Sequence, residues 1–289
     1  ALETESKPRT LLRDAWRRFL ANQAAIGGLV IVAMFIAIAF LAPIVSPYNP
    51  KIDSNLVMRL KPPSWEHLFG TDSLGRDLLR RVIHGTRVSI GIGVGAVSLA
   101  VVIGTLLGLI SGYMGRQVDL VIMFLMDILL AFPGTLLAIA IVAMIGPGLG
   151  NALIAISIVT IPVYARISRG AVLSVKQREF VTAALCIGGK GAWILLRHIF
   201  PNTLPPVIVQ ATLGIAFAIL EAAGLGFLGL GAQPPTPEWG AMLADSYKYF
   251  TSGSWWVLFF PGAAIVLSVL GFNLVGDGLR DALDPRLQL

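Results

Sequence analysis

The stretch VSIGIGVGAVSLAVVIGTLLGLISG, residues 88–112, carries no charged side chain. An apolar run of about 20 residues is long enough to cross the hydrocarbon core of a membrane as a helix. Other predominantly apolar runs cover residues 26–42, 120–145, 151–165, 207–231 and 255–275, and two of these contain one acid each. We therefore predict an all-α, polytopic membrane protein with six transmembrane helices, the fourth of which is the shortest.

The composition excludes several classes of protein. Hydrophobic residues make up 56% of the 289 residues and charged residues 13%, whereas a soluble domain carries about 25% charged residues. An ordinary soluble enzyme and a disordered chain are therefore not expected. Cys186 is the single cysteine, so no disulfide can form within the chain. The net charge of +6 is typical of Lys and Arg retained on the cytoplasmic side of a membrane, and we expect no nucleic-acid partner.

Basic residues predict the orientation. Residues 1–25 are interpreted as a cytoplasmic amphipathic segment, with an apolar helix face of Leu12, Trp16, Phe19 and Leu20, ahead of an uncleaved first span. The transmembrane domain covers 26–289. Its loop 166–206 is rich in Lys and Arg and is predicted to be cytoplasmic, as are both termini. The bases outside the spans that support this orientation are Lys7, Arg9, Arg13, Arg17, Arg18, Arg166, Arg169, Lys176, Arg178, Lys190, Arg197, Arg280 and Arg286.

Two further loops, 44–85 and 232–254, are predicted to lie outside. The first departs from the charge rule, because it contains six bases, Lys51, Arg59, Lys61, Arg76, Arg80 and Arg81. Within it, residues 73–84 fit a helix along the membrane surface, with Arg76, Asp77, Arg80 and Arg81 off its apolar stripe. That helix is either a structural lid or a surface for a partner. The segment QPPTPEW, residues 233–239, is rigid and either borders an entrance or contacts a partner.

The cytoplasmic loop reads EFVTAALCIGGKGAWILLRHIFPN over residues 179–202. The pattern predicts a helix over 179–186, a break at Gly188 and Gly189, and a second helix over 193–200 that Pro201 ends. An exposed apolar face on such a loop favours docking to a soluble partner. The alternative is a loop that folds onto its own bundle.

This loop resembles the signature loop of ABC importer permeases, in which Glu-Ala-Ala, Gly and Ile-x-Leu-Pro recur at fixed spacing. Thr182, standing for the Glu, Ala183, Ala184, Gly188 and Pro201 fall on its positions. His198 and Phe200 replace the Ile and the Leu. Four other stretches resemble the permeases of dipeptide, oligopeptide and nickel importers: LFGTDSLGRDLL from Leu68, DILLAFPGTLLAI from Asp127, GLGFLGLGAQPPTPEWGAML from Gly224 and GFNLVGDGLRDALDPRL from Gly271.

The resemblance implies a type I ABC importer permease fold in a bacterial inner membrane, and ATP-driven import of dipeptides or oligopeptides by alternating access. It implies three kinds of protein partner: a second homologous permease, two ATPase subunits and a periplasmic or lipid-anchored substrate-binding protein. ATP and Mg²⁺ are expected in the ATPases, and neither a cofactor nor catalysis in this chain. The residues expected to dock the ATPase are Glu179, Thr182, Ala183, Ala184, Gly188, Gly189, His198 and Pro201.

The residues themselves narrow the mechanism. The chain has no G-x-x-x-x-G-K-[ST] phosphate loop, so its energy must come from a partner or an ion gradient. An ion-coupled carrier is less favoured, because we find no internal repeat or charge relay. Import of nickel, glutathione or another small solute stays open. His67 and His84 would be the external candidates to meet a cation, although no histidine pair has metal-ligand spacing.

Two acids fall within predicted spans, and charged residues there are rare and usually face the bundle interior. Asp127 and Glu221 are therefore candidates for the translocation path. For Asp127 we favour a hydrogen bond that joins helices near Pro133, and for Glu221 both roles stay open. Pro133 and Pro162 predict kinks in the third and fourth spans. The glycines of the second span, 91, 95, 104, 108 and 112, have the spacing of close helix packing.

Overall fold

The computed structural model describes residues 11–49 and 53–283, and these residues form a bundle of helices. The predicted bases Lys7, Arg9, Lys51 and Arg286 lie outside the described residues. In the described part the only pairing of extended segments is an isolated bridge between Thr71 and Asp77. The helices are α1 Leu11–Ala21, α2 Gln23–Val45, α3 Leu78–Met114, α4 Arg116–Leu130, α5 Gly134–Ile145, α6 Leu149–Val175, α7 Glu179–Cys186, α8 Gly191–Ile194, α9 Phe200–Phe227, α10 Trp239–Ser246 and α11 Trp256–Leu283.

Five helical stretches of the described chain are long and apolar enough to cross a membrane: Gln23–Val45, Leu78–Met114, Leu149–Val175, Gly191–Phe227 and Trp256–Leu283. Helices α4 and α5 are apolar enough for a crossing only when taken together, and they are bent by 90° relative to each other, so they make a sixth crossing if the pair is one broken span. The prediction of one kinked helix over 120–145 is therefore wrong in form. Phe132 precedes Pro133 and is disfavoured in the α conformation, and Pro133 itself is extended, with ψ at 127°.

The bent pair nevertheless connects the two ends of the bundle. Near its start, Asp119 accepts hydrogen bonds from Ser111 on α3 and Arg169 on α6. Beyond its end, the amide of Gly148 donates to the carbonyl of Leu230 at 3.1 Å. We call these the inner end and the outer end of the bundle, following the expected orientation. Counting the pair as one crossing gives the six spans that the sequence predicts.

Helix α3 differs from the prediction at its outer end. The expected separate surface helix over 73–84 is not present; α3 runs without a break from Leu78 to Met114. Trp239 packs directly on Gly85, where a Cβ atom would lie 2.9 Å from the indole Cδ1, and the indole N–H donates to the carbonyl of Val82. This contact fixes the helical turn around Gly85, where the sequence predicted the end of the surface helix. Arg81, predicted to lie off the apolar stripe, is buried and pairs with Asp72.

The glycines of α3 form a close seam with α6, as their spacing predicts. A Cβ atom at Gly108 would lie 2.4 Å from the carbonyl oxygen of Ala165, and Gly104 and Gly112 are similarly close to Tyr164 and Val172. This seam lies within the chain. Gly91, the outermost glycine of the predicted series, is different, since a Cβ atom there would meet nothing within 4 Å.

The remaining helices refine the predicted boundaries. Helix α6 extends to Val175 with Pro162 inside it, so the fourth span is longer than the predicted 151–165. Helix α9 begins at Phe200, directly after a π-helical turn over Leu195–Ile199, and it ends at Phe227. The prediction that Pro201 ends the second loop helix is wrong. Proline is tolerated in the first turn of a helix, and Pro201 occupies that turn of α9.

The N-terminal amphipathic segment is the helix α1. Phe19 is 3% exposed and packs with Ala25 of α2 and Ala282 of α11. Trp16 remains exposed although it stacks on Phe19 at 5.7 Å between ring centroids. The side chain of Leu12 lies outside the described residues. The segment therefore attaches to the inner end of the bundle through Phe19, while Trp16 and Leu20 are left exposed.

Candidate functional site

The inner loop between α6 and α9 contains the residues predicted to dock an ATPase. Helix α7 forms where it was predicted, Glu179–Cys186, and Gly188 ends it with φ at +87°. This left-handed conformation strongly favours glycine. Gly189 is required for space, since a Cβ atom there would lie 2.6 Å from the carbonyl oxygen of Ala184. The two glycines thus set the angle between α7 and α8.

One face of this loop folds onto the bundle. Ala184, Val181 and Ile194 are buried in a cluster with Leu109 of α3 and Val172 of α6. The other face is exposed and includes five of the predicted docking residues: Glu179, Thr182, Ala183, Gly188 and Pro201. Large apolar side chains are exposed with them: Phe180, Leu185, Ile187, Trp193 and Leu196.

One face of the loop therefore folds onto the bundle, and the other stays exposed, so docking of a soluble partner remains a prediction for the exposed face. Ile187 is 82% exposed at the tip. His198 lies between the faces, with its ring 4.7 Å from Trp193 and 6.5 Å from Phe180. An exposed apolar surface on a segment outside the spans suits a protein partner.

Asp127, the first intramembrane acid, forms an ion pair with Arg166 of α6. The Arg166 Nη2 atom lies 2.5 Å from the Asp127 Oδ1 atom. Both side chains are more than half exposed at the surface of this chain, 58% for Asp127 and 52% for Arg166. Charged groups within a bilayer face a bundle interior or a water-filled cavity. The exposed pair therefore marks a face of the chain that lipid alone does not cover.

Glu221, the second acid, lies on α9 and contacts the other half of the bent pair. Its Oε1 atom accepts a hydrogen bond from the Thr135 hydroxyl at 2.8 Å. Its Oε2 atom is buried and has no hydrogen-bond donor among the described residues. The two predicted acids thus have separate partners. Asp127 lies on α4, before the break at Pro133, and Glu221 contacts Thr135 on α5, just after it.

Sequence reasoning missed a third polar link, between Asp119 of α4 and Arg169 of α6. Arg169 donates from Nε at 2.5 Å and from Nη2 at 2.6 Å, in the bidentate geometry that gives strong charge-assisted bonds. Arg169 was considered only as a loop base. An acid in the first turn of α4, facing a basic residue near the end of a span, was the available signal.

Glu238 at the outer end was also missed, although it is completely buried. It caps α10 by accepting from the amides of Gly240 and Ala241, both at 2.8 Å, and it accepts from the Ser89 hydroxyl. Burial raises the pKa of Glu238, and these donors act against that shift. Little in the sequence signals this role, because Glu is not among the residues favoured at a helix N-cap.

The outer loop contains a buried cluster of charges. Asp72 is 1% exposed and accepts from Arg76 Nε at 2.7 Å and from Arg81 Nη1 at 2.6 Å. His67, one of the suggested cation ligands, is paired with Asp77 at 2.8 Å. His84, the other, contacts the carbonyl of Ser46 at 2.6 Å. Among residues 11–49 and 53–283, no group of three His, Cys, Asp or Glu side chains is placed to hold a metal ion.

Known proteins resemble this chain over nearly its whole length. Residues 104–289 match the family described as "Binding-protein-dependent transport system inner membrane component". Residues 10–63 match the "N-terminal TM domain of oligopeptide transport permease C". A dipeptide transport system permease protein DppC of Alkalihalophilus pseudofirmus is 53% identical over 96% of this chain and 90% of its own length.

Two further relatives have related descriptions. The di/tripeptide transport system permease protein DppC of Pseudomonas aeruginosa is 49% identical, over 96% of this chain and 93% of the relative. The glutathione transport system permease protein GsiD of Pectobacterium atrosepticum is 45% identical, over 97% of this chain and 93% of the relative.

Solved structures agree in fold. Two crystal forms of the MetNI methionine ABC transporter, in inward-facing conformations, match with TM-scores of 0.57 and 0.59 at 19% and 18% identity. They cover 70% and 71% of this chain, and 96% and 97% of the matched chains. The predicted all-helical ABC importer permease fold is confirmed. This chain is a multi-pass membrane protein that belongs to the family of binding-protein-dependent transport system inner membrane components.

Proposed function

We propose that this chain is a non-catalytic transmembrane subunit of an ATP-driven importer that moves dipeptides or oligopeptides across a bacterial inner membrane. The exposed apolar face of the inner loop carries the proposal, because it gives the chain a surface for a soluble partner outside its spans. The relatives described as dipeptide and di/tripeptide permeases support the peptide cargo. In this assembly, two ATPase subunits hold ATP and Mg²⁺, and this chain needs no cofactor of its own.

The remaining partners follow from the same proposal. A second, homologous permease completes the pore, and a periplasmic or lipid-anchored substrate-binding protein delivers cargo at the outer end. Both termini then lie in the cytoplasm. ATP binding closes the ATPases, and the inner loop transmits that movement to α6, which ends at the loop, and to α9, which begins there. Rigid-body movement of helices between inward-open and outward-open states is the usual form of alternating access.

We place Asp127 and Arg166 on the translocation path. Their exposed ion pair lies on the side of the chain that a second permease or water must cover. Glu221, which contacts Thr135 close to the break at Pro133, is the second path candidate. A path lined by both signs of charge suits a zwitterionic cargo such as a peptide.

Glutathione, itself a peptide, is the second candidate cargo, because one relative at 45% identity is described as a glutathione permease. Nickel is the third. An ion-coupled carrier is the least favoured alternative, since a lone carrier has no use for the exposed loop face.

The proposal is tested by ATP-dependent uptake into vesicles that contain this chain with its partner permease, ATPases and binding protein. A labelled dipeptide, glutathione and nickel are offered separately. Dipeptide uptake that needs ATP is the expected result. Uptake of nickel or glutathione without dipeptide uptake would show that the peptide cargo is wrong. Uptake without ATP would overturn the ABC mechanism.

Docking of the loop is tested at Gly188. In the Gly188→Trp variant the backbone must hold φ near +87° with a bulky side chain, so α7 is displaced. We expect ATP hydrolysis to continue while uptake falls by about ten-fold or more. Gly188→Asn is the matched control, because asparagine tolerates the left-handed region. Normal uptake by Gly188→Trp would show that the docking assignment is wrong.

A further inference from the structure

A cavity of about 520 Å³ opens at the outer end of the bundle. The outer loop, the first turns of α3, the end of α9, the loop 232–236 and helix α10 all contribute to its walls. Its volume lies in the range that holds a small ligand. The apolar part of the lining includes Leu56, Leu74, Pro234 and Ala244. The cavity is therefore a mixed surface, with room for a side chain beside its charged groups.

The charges around this cavity are unbalanced. Four cations line it, Arg59, Arg76, Arg81 and Lys248. Among the described residues that line the cavity, Asp245 alone carries a carboxylate, and Asp72 lies behind Arg76 and Arg81. Four positive and two negative groups leave an excess of two positive charges. Arg76 and Arg81 are buried and share the single carboxylate of Asp72, whereas Arg59 and Lys248 are exposed at the rim. Because opposite charges attract, this excess of positive charge favours an anion.

The guanidinium of Arg81 is the group in the cavity wall that is best placed to bind the anion. The Arg81 side chain is only 4% exposed, and its Nη1 atom is already bonded to Asp72. Its Nε atom is buried and has no hydrogen-bond acceptor among the described residues. Its Nη2 atom is 3.8 Å from Asp245, beyond hydrogen-bond distance. The Nε–Nη2 edge of a guanidinium is one of the edges that bind a carboxylate in two parallel bonds, as Arg169 binds Asp119 in this chain.

Asp72 cannot accept further hydrogen bonds from the Nε and Nη2 atoms of Arg81. Its Oδ1 atom accepts from the amides of Leu74 and Arg76, and its Oδ2 atom accepts from both guanidinium groups. At the rim, Arg59 donates to the Tyr249 hydroxyl at 3.1 Å. Lys248 lies 5.3 Å from the centre of the same ring. Tyr249 thereby holds two exposed cations beside the mouth of the cavity.

We propose that this outer cavity receives the C-terminal carboxylate of a short peptide, with Arg81 as its inner contact and Arg59 and Lys248 at the rim. The inference rests on the proposed peptide cargo. It adds a peptide site on the permease itself, at the end of the bundle where cargo arrives. A carboxylate could also be supplied by an acidic side chain of a docked protein, and the experiment separates these sources.

The test uses the complex of this chain with its partner permease and ATPases in lipid nanodiscs, without the binding protein. Saturation-transfer NMR measures binding of L-alanyl-L-phenylalanine and of the same dipeptide with a C-terminal amide. We expect the free carboxylate to bind about ten-fold more tightly than the amide, as for the loss of one charge-assisted contact. The double variant Arg59→Gln/Lys248→Gln should lose a similar factor. Both side chains are exposed, so the fold should tolerate the changes.

Arg80→Gln is the matched control, since Arg80 is exposed on the same helix but does not line the cavity. It should bind the dipeptide as the unmodified complex does. Equal binding of dipeptide and amide, or no effect of the double variant, overturns the inference. A third outcome also overturns it: the double variant docks the empty binding protein more weakly but binds the dipeptide as before. The carboxylate that fits the cavity would then belong to the binding protein.

Failure of the proposed function is recognised separately. If the complete unmodified system imports no peptide, the cargo assignment fails. If it imports peptide but the nanodisc complex shows no carboxylate-dependent binding, only the outer-cavity inference fails.

Discussion

The seam between α3 and α6 and the bent pair α4–α5 are built in opposite ways. The seam brings two backbones together at Gly104, Gly108 and Gly112, with no space for a Cβ atom at any of the three. The bent pair has few buried side chains: in α4 only Met126 is buried, and in α5 only Ala138 and Val142. Most of its large apolar residues are exposed, including Leu120, Phe124, Leu136 and Met144.

Polar links replace close packing in the bent pair. Asp119 bonds to Arg169, Asp127 to Arg166 and Thr135 to Glu221, and each link joins α4 or α5 to α6 or α9. Close packing in a core has few alternative arrangements, whereas an exposed ion pair can exchange partners. We infer that α3 and α6 form one rigid unit, which moves as a body when the inner loop shifts α6, and that the bent pair repositions relative to this unit.

The largest effect is expected in the seam. In Gly108→Ala the new methyl group would lie 2.4 Å from the Ala165 carbonyl oxygen. Overpacking of this kind costs about 1–3 kcal/mol, so the purified complex should melt at a lower temperature and assemble poorly. Gly91→Ala is the matched control, because nothing lies within 4 Å of the new methyl group. Alanine is favoured over glycine inside a helix by up to about 1 kcal/mol, so this variant should be neutral or more stable.

Equal melting temperatures for Gly108→Ala and Gly91→Ala would contradict the rigid seam. They would mean that α3 and α6 can separate without loss, and the comparison between the rigid unit and the bent pair would have to be abandoned.

A smaller effect, on transport rather than on folding, is expected at Asp127 and Arg166. Arg166→Gln leaves the Asp127 carboxylate without its cation at membrane depth, where an unpaired charge is unfavourable. We expect uptake to fall roughly ten-fold, with little change in melting temperature because both side chains are largely exposed. The double variant Asp127→Asn/Arg166→Gln removes both charges and separates their coupling from their individual roles.

If the pair only joins α4 to α6, the neutral double variant should regain most of the lost uptake. If each charge also contacts cargo, the double variant should remain as poor as Arg166→Gln. Normal uptake by Arg166→Gln itself would remove the pair from the path altogether.

Sequence patterns predicted the crossings better than the joints between them. Apolar runs located every crossing, because a span is defined by length and lack of charge. They failed at residues 73–84, since the contact of Trp239 with Gly85 joins positions far apart in sequence and extends α3 through the expected boundary. They also failed at Pro133, where a kink and a 90° break have the same local signal.

The candidate site was predictable where it depends on local backbone. Gly188 was identified from the loop pattern, and its positive φ explains the choice of residue. The partners of Asp127 and Glu221 were not predictable, because Arg166 and Thr135 reach them through the crossing of separate helices. Glu238 was missed because a buried acid looks like a loop residue until Ser89 of α3 is placed beside it.

The smallest effect is expected for Glu221→Gln, where the bent pair meets α9. The Oε1 atom accepts from Thr135, and the Oε2 atom is buried without a donor among the described residues. Glutamine keeps the shape and the acceptor for Thr135 without a negative charge, so we expect uptake within about two-fold of normal between pH 6 and 8. Glu221→Ala, which removes the acceptor and leaves the Thr135 hydroxyl unpaired, should lower uptake more. A fall of ten-fold or more in Glu221→Gln alone would show that the charge itself is needed, and Glu221 would then join Asp127 on the path instead of holding the bent pair to α9.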